Sequence, residues 1–130
     1  MDRNNKISFN DYGNQYKNYE KNEYLSSRID NIINIFGNIN KNYIERIYIS
    51  IKNEDMNKKE NPDLLIIIIV IVIIEKSLNN VIKNDKKEII KIFNKYRNKI
   101  ILIYKYNLSN IAITFLVYLE NNLDLIYQNL

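Results

Sequence analysis

Lys83, Lys87, Lys91 and Lys95 recur at intervals of four, with Lys86 and Lys99 beside them. On a helix this spacing reads as a basic stripe whose chemistry is electrostatic: a footprint for nucleic acid, an anionic membrane or an acidic partner. The competing reading is the solvent face of an amphipathic helix in a lysine-biased chain. A net charge of +4, with Glu88 close by, disfavours nucleic acid. Other chemistry has little to draw on. Histidine and cysteine are absent. Their absence removes the usual general base near neutral pH, the partner of a nucleophilic serine, thiolate chemistry, disulfides and ordinary zinc ligands. The two glycines, Gly13 and Gly37, are too far apart for a loop that cradles phosphate. The nearest acidic pairs, Glu20 with Glu23 and Glu54 with Asp55, lie in polar stretches where nothing desolvates a carboxylate, so they read as surface charge. The expectation is no catalytic residue, no cofactor and no metal site: not an enzyme.

Tyrosine is the other unusual supply, with eleven in the chain. Tyr12, Tyr16 and Tyr19, joined by Tyr24, crowd the N-terminal region and form a candidate protein interface, because tyrosine buries area at low entropic cost and keeps a polar handle. Codon bias is the alternative. Ile, Asn, Lys and Tyr make up 77 of 130 residues, and Lys outnumbers Arg 15 to 4. All four residue types have codons written in A and T alone, which suits a large AT-rich DNA virus, a protozoan parasite, or a plasmid or phage of an AT-rich host.

The elements that position these residues are read from periodicity, since such bias blunts propensity scales. Eleven consecutive aliphatic residues run from Leu64 to Ile74, bounded by Asp63 and Glu75. A bilayer-crossing helix needs roughly 17 to 25 apolar residues, so the run predicts a buried core helix and no membrane span. Asn61 and Pro62 supply its cap and first position. Its spacing continues through Leu78, Val81 and Ile82, which predicts a helix from Leu64 to Lys83 with Ile67, Ile71, Ile74 and Leu78 as its seam.

Upstream, Leu25, Ile29, Ile32, Ile33 and Phe36 follow helical spacing and end at Gly37. Tyr43, Ile44, Ile47, Tyr48 and Ile51 follow it again after a candidate cap at Asn40. Residues 52–60 form the longest solvated connection, or a frayed helix end. Asp85 with Glu88 has capping-box spacing and opens a helix to Tyr106. A last helix from Ile111 turns Phe115, Tyr118, Leu119, Leu123, Ile126 and Tyr127 inward. Residues 1–22 are a polar, Tyr-rich arm or a marginal first helix, and 23–130 is a single helical domain. The fold class is all-α: a compact bundle of five to six helices around a buried central hydrophobic helix.

That organisation resembles the small Bcl-like proteins of poxviruses, soluble helical domains in which amphipathic helices wrap a hydrophobic central one. The helix from Leu64 to Lys83 takes the central place, 85–106 the helix beside it, and 111–130 the closing one. The ending Asn110-Ile-Ala-Ile-Thr-Phe-Leu-Val-Tyr-Leu-Glu-Asn-Asn-Leu123 is similar in pattern to the last helix of the family's signalling inhibitors. The Asn-Trp-Gly-Arg signature of the cellular family has no counterpart in Asn61-Pro-Asp-Leu64, and the expectation is a chain with no C-terminal anchor. The resemblance implies a viral protein in the host cytoplasm that blocks innate-immune or apoptotic signalling by binding host proteins, innate signalling before apoptosis. It also implies a homodimer, paired through Tyr12, Tyr16 and Tyr19 with outward residues of 86–106. The alternative function is a small virion or nucleic-acid-associated protein using the lysines at 83–99.

Overall fold

The aliphatic run folds as helix, and so does most of the chain around it. The computed structural model describes residues 24–54, 61–105 and 110–130, and these hold five helices and no strand. They are α1 (24–36), α2 (Lys41–Glu54), α3 (Pro62–Ser77), α4 (Lys86–Ile103) and α5 (Ile111–Gln128). The all-α expectation therefore holds for the described residues. Residues 1–23, with Tyr12, Tyr16, Tyr19, Glu20 and Glu23, lie outside them, as do 55–60 and 106–109.

α3 starts where its sequence directs. Asn61 accepts the Leu64 N–H at 3.2 Å, and Pro62 occupies the first turn, where its missing N–H costs nothing. From Leu64 to Val72 nine consecutive side chains are wholly buried. Helices α2, α4 and α5 pack directly on α3, and α1 reaches it through Arg28, whose guanidinium lies 2.6 Å from Asp63. Burial on every side explains why the segment needs no polar stripe: an apolar helix is stable only when covered all round.

The neighbours are one-sided. α1 buries Leu25, Ile29, Ile32 and Phe36; α2 buries Ile44, Ile47 and Ile51; α4 buries Ile89, Ile92, Phe93, Tyr96 and Ile100. Gly37 ends α1 with φ +132, a conformation that side-chain-bearing residues rarely adopt, and its N–H returns to Ile33 O at 2.8 Å. Asn40 caps α2 through the Tyr43 N–H at 3.1 Å.

The end of α3 departs from the sequence reading. The helix stops at Ser77, six residues before Lys83, because Asn79 takes the left-handed conformation at φ 61. The Asn80 N–H bonds Glu75 O at 2.8 Å and the Asn79 N–H bonds Lys76 O at 2.9 Å, the paired bonds of a Schellman motif. Leu78 is 60% exposed and Val81 67%, so Leu78 is not part of a buried seam; Ile67 and Ile71 are buried and Ile74 is partly so. The capping box is also corrected. Asp85 does cap α4, through the Lys87 N–H at 2.9 Å, but its own N–H bonds Lys83 O and not Glu88. α4 then ends at Ile103, short of Tyr106.

Candidate functional site

Glu75 falls four residues after Ile71, on a buried face of α3, and its side chain is 1% exposed. A carboxylate there needs partners, because an isolated buried charge is expensive. It has three. Lys95 Nζ donates to Oε2 at 2.7 Å, Asn80 Nδ2 donates to Oε1 at 2.5 Å, and the Tyr96 hydroxyl donates to Oε2. Burial alone would raise this carboxyl, but the hydrogen bonds from Lys95, Tyr96 and Asn80 outweigh it and hold the group below the usual carboxylate range. Burial first, and then the Glu75 carboxylate, push the Tyr96 phenol well above its ordinary value. Three protein donors and 1% exposure leave Glu75 turned into the fold and away from solvent. The cluster fastens α4 to the C-terminal end of α3.

Two tyrosine hydroxyls on α5 act similarly on backbone. Tyr118 accepts the Asn61 N–H at 2.7 Å at the head of α3, and Tyr127 accepts the Ile82 N–H at 2.8 Å in the connection to α4. Both groups lie in part-buried backbone outside helices, where an unmet donor would carry a desolvation penalty. On α1 the Tyr24 hydroxyl meets Arg28, whose guanidinium also stacks over the Tyr24 ring at 4.2 Å. Periodicity turns Tyr96, Tyr118 and Tyr127 inward, but which polar group each one meets is set by pairing across 21, 57 and 45 residues.

The lysine stripe divides. Lys83 lies in the connection before α4, exposed; Lys87 and Lys91 are exposed on the helix, Lys91 at 3.8 Å from Glu88; Lys95 is paired with Glu75. Lys99 sits over the Phe36 ring at 5.7 Å. A spacing of four advances 40° round a helix at each step, so the row turns away from its starting face. Of the four, Lys87 and Lys91 stand on the exposed side of α4, Lys83 lies off the helix, and Lys95 is half-exposed while engaged by Glu75.

One opening among the described residues lies between α4 and α5. A groove of about 370 Å³ has Phe93 and Phe115 within it, their ring centroids 5.3 Å apart. Ile90, Ala112 and Leu116 line its outer part, with Asn94 and Arg97 as its polar members. Arg97 makes no ion pair with another described residue. Nothing in the order of the sequence announces this groove, because Phe93 and Phe115 come together only when α4 folds against α5. Among the described residues, no three His, Cys, Asp or Glu side chains come close enough to hold a metal ion. Comparison with family models, with curated proteins and with solved structures finds no match for this chain.

Proposed function

We propose that this chain is a viral protein-interaction module that acts in the host cytoplasm, blocking innate-immune or apoptotic signalling by binding host proteins, without catalysis. One observation carries the reading. Leu64 to Val72 is buried on all sides, so the core serves the fold and the surfaces left for function are those of amphipathic helices. The finer arrangement proposed is Bcl-like, with α3 as the central helix. Absence of His and Cys from the whole sequence supports binding over catalysis, and the AT-rich codon set fits a viral source. The alternative, a virion or nucleic-acid-associated role for the lysines at 83–99, has less support, since Lys95 is engaged by Glu75.

The test is expression of the full chain in mammalian cells carrying an innate-signalling reporter and a separate readout of triggered apoptosis. Suppression of one pathway by wild type, lost in the misfolding variant Ile71→Asp, supports the proposal. Normal signalling in both assays, at expression levels verified in the same cells, contradicts it. We propose further that two copies pair through Tyr12, Tyr16 and Tyr19 and the outward side of α4. Stable pairing needs about 1,000 Å² or more of buried surface. Sedimentation of a monomer of 15.6 kDa at micromolar concentration, unchanged when the three tyrosines become serine, would remove the dimer and leave the host-binding reading standing.

A further inference from the structure

The first half of α5, Ile111 to Leu119, carries no charge and is apolar round its circumference except for Thr114 and the Tyr118 hydroxyl. A helix of this kind is normally enclosed, as α3 is. Here Ile113 is 64% exposed and Val117 44%. They begin a row, Ile113, Val117, Glu120 and Asp124, whose spacings of four, three and four make a crest that is apolar at its head and acidic beyond. Beside this crest runs the groove, lined by Ala112 and Leu116 of α5 and by exposed Ile90 and buried Phe93 of α4.

The two helices run antiparallel: Asn84, just before α4, donates to Glu120 O at 3.2 Å, and Phe93 meets Phe115. Four residues beyond Phe93, Arg97 therefore stands level with Ile111, at the uncharged end of α5. Arg97 is exposed and makes no ion pair with another described residue. Lys86, at the other end of the groove, stands level with Asn122 and so with the acids of its own chain. Lys95 and Lys99 turn to Glu75 and Phe36, away from this face. The crest thus ends in acids where the groove begins with Lys86, and Arg97 has no acid beside it.

A crest beside a groove is self-complementary. A twofold axis sets each copy's crest in the other's groove, ridge into groove as packed helices meet. At the level of Leu116 such an axis carries the level of Ile111 to that of Asn121, so Arg97 of each copy comes between Glu120 and Asp124 of the other. Ile113 and Val117 then meet Ile90, Ala112 and Leu116 of the second copy. α4 and α5 each have 18 residues, so the face is about 27 Å long and about 20 Å wide, and pairing covers about 1,000 Å² in all, where stable interfaces begin. An unrelated helix would have to bring both the matching crest and the opposite charges. A second copy carries both.

We propose that a second copy of this chain covers the α4–α5 face, with the crest of Ile113 and Val117 in the partner's groove and Arg97 paired with Glu120 and Asp124 across the twofold. This rests on the pairing of two copies proposed above and gives it an apolar centre on α4 and α5.

Sedimentation of the full chain between about 1 and about 100 μM, where the wild type should dimerise, tests the proposal by charge reversal. Arg97→Glu by itself, and Glu120→Arg with Asp124→Arg by themselves, each set like charges together at both symmetry-related contacts and should weaken pairing about tenfold or more. An equimolar mixture of the two variants should pair again at about wild-type strength, because each copy then meets the opposite sign at both contacts. Arg97 and Glu120 lie at opposite ends of the face within one chain, so a stability effect does not produce this rescue. Ile113→Ser with Val117→Ser, at exposed positions, should leave the thermal melt close to wild type and remove the dimer. A wild-type monomer throughout the range removes the pairing and its seat together. A dimer that survives the reversals and the serine pair, or one lost in the reversals without rescue in the mixture, keeps the pairing and overturns its seat on α4 and α5.

Discussion

Lys95 on α4 places its Nζ 2.7 Å from Oε2 of Glu75 on α3, and that carboxylate is 1% exposed while the lysine side chain is 51% exposed. The pair is asymmetric. Glu75 has lost its water and depends on its three donors, whereas Lys95 keeps much of its hydration. Removing either partner therefore has different consequences, and both can be measured.

Lys95→Ala leaves a buried carboxylate with two donors instead of three. The expected destabilisation is about 1–3 kcal/mol, below the cost of breaking a fully buried pair because Lys95 is half in solvent. A urea melt reads it as a lower midpoint at unchanged slope. Adding Glu75→Gln to Lys95→Ala should recover part of the loss, since the charge needing compensation is then gone.

Stability should fall at both ends of the pH scale, from different groups. The Glu75 carboxyl is depressed in the fold, so its contribution is present above the unfolded value near 4.5 and is lost as pH drops through the folded value. Tyr96 is raised in the fold, so its contribution is intact below the unfolded value near 10 and is lost as pH climbs toward the folded one. Thermal melts across pH should show the acid limb shrinking in Glu75→Gln and the alkaline limb shrinking in Tyr96→Phe. Limbs identical to wild type would detach the cluster from stability.

Asn79 tests the stop of α3. An alanine forced to φ 61 should cost about 1–2 kcal/mol, while Asn79→Gly should be neutral or slightly stabilising. If Asn79→Ala melts with wild type, the left-handed cap is not what ends the helix.

The reach of the sequence reading follows from the range over which each signal acts. Asn40, Asn61 and Asp85 are caps that bond N–H groups two or three residues away, so local pattern reveals them. Burial of Leu64 to Val72 was legible because nothing but enclosure suits such a run. The stop at Ser77 was not, because Leu78, Val81 and Ile82 continue helical spacing and the decision rests on one backbone conformation at Asn79. Glu75 read as the polar boundary of the run, although its place four after Ile71 aligned it with the buried face. Its partners Lys95 and Tyr96 lie 20 and 21 residues away, and the α4–α5 groove depends on pairing at similar range. Interhelical pairings of this kind leave no periodic mark.

Ile71 and Leu78 separate the core from its false continuation. Ile71→Asp puts an unpaired carboxylate in the wholly buried segment, at several kcal/mol against a total stability of about 5–15, and should abolish the cooperative melt. Leu78→Ser, at a 60% exposed position, should stay within about 0.5 kcal/mol of wild type. Circular dichroism on heating distinguishes the two.

Hydrogen exchange on the full chain tests the enclosure of α3 most directly. Amides from Ile68 to Glu75 follow the first turns of the helix and donate inside its wholly buried or adjoining stretch. They should exchange only by global unfolding, slower than those of α2 and with protection that tracks the free energy from urea melts. Exchange of those amides at rates matching α2, or protection well below the global value, would show that α3 opens locally and would contradict a bundle organised around it.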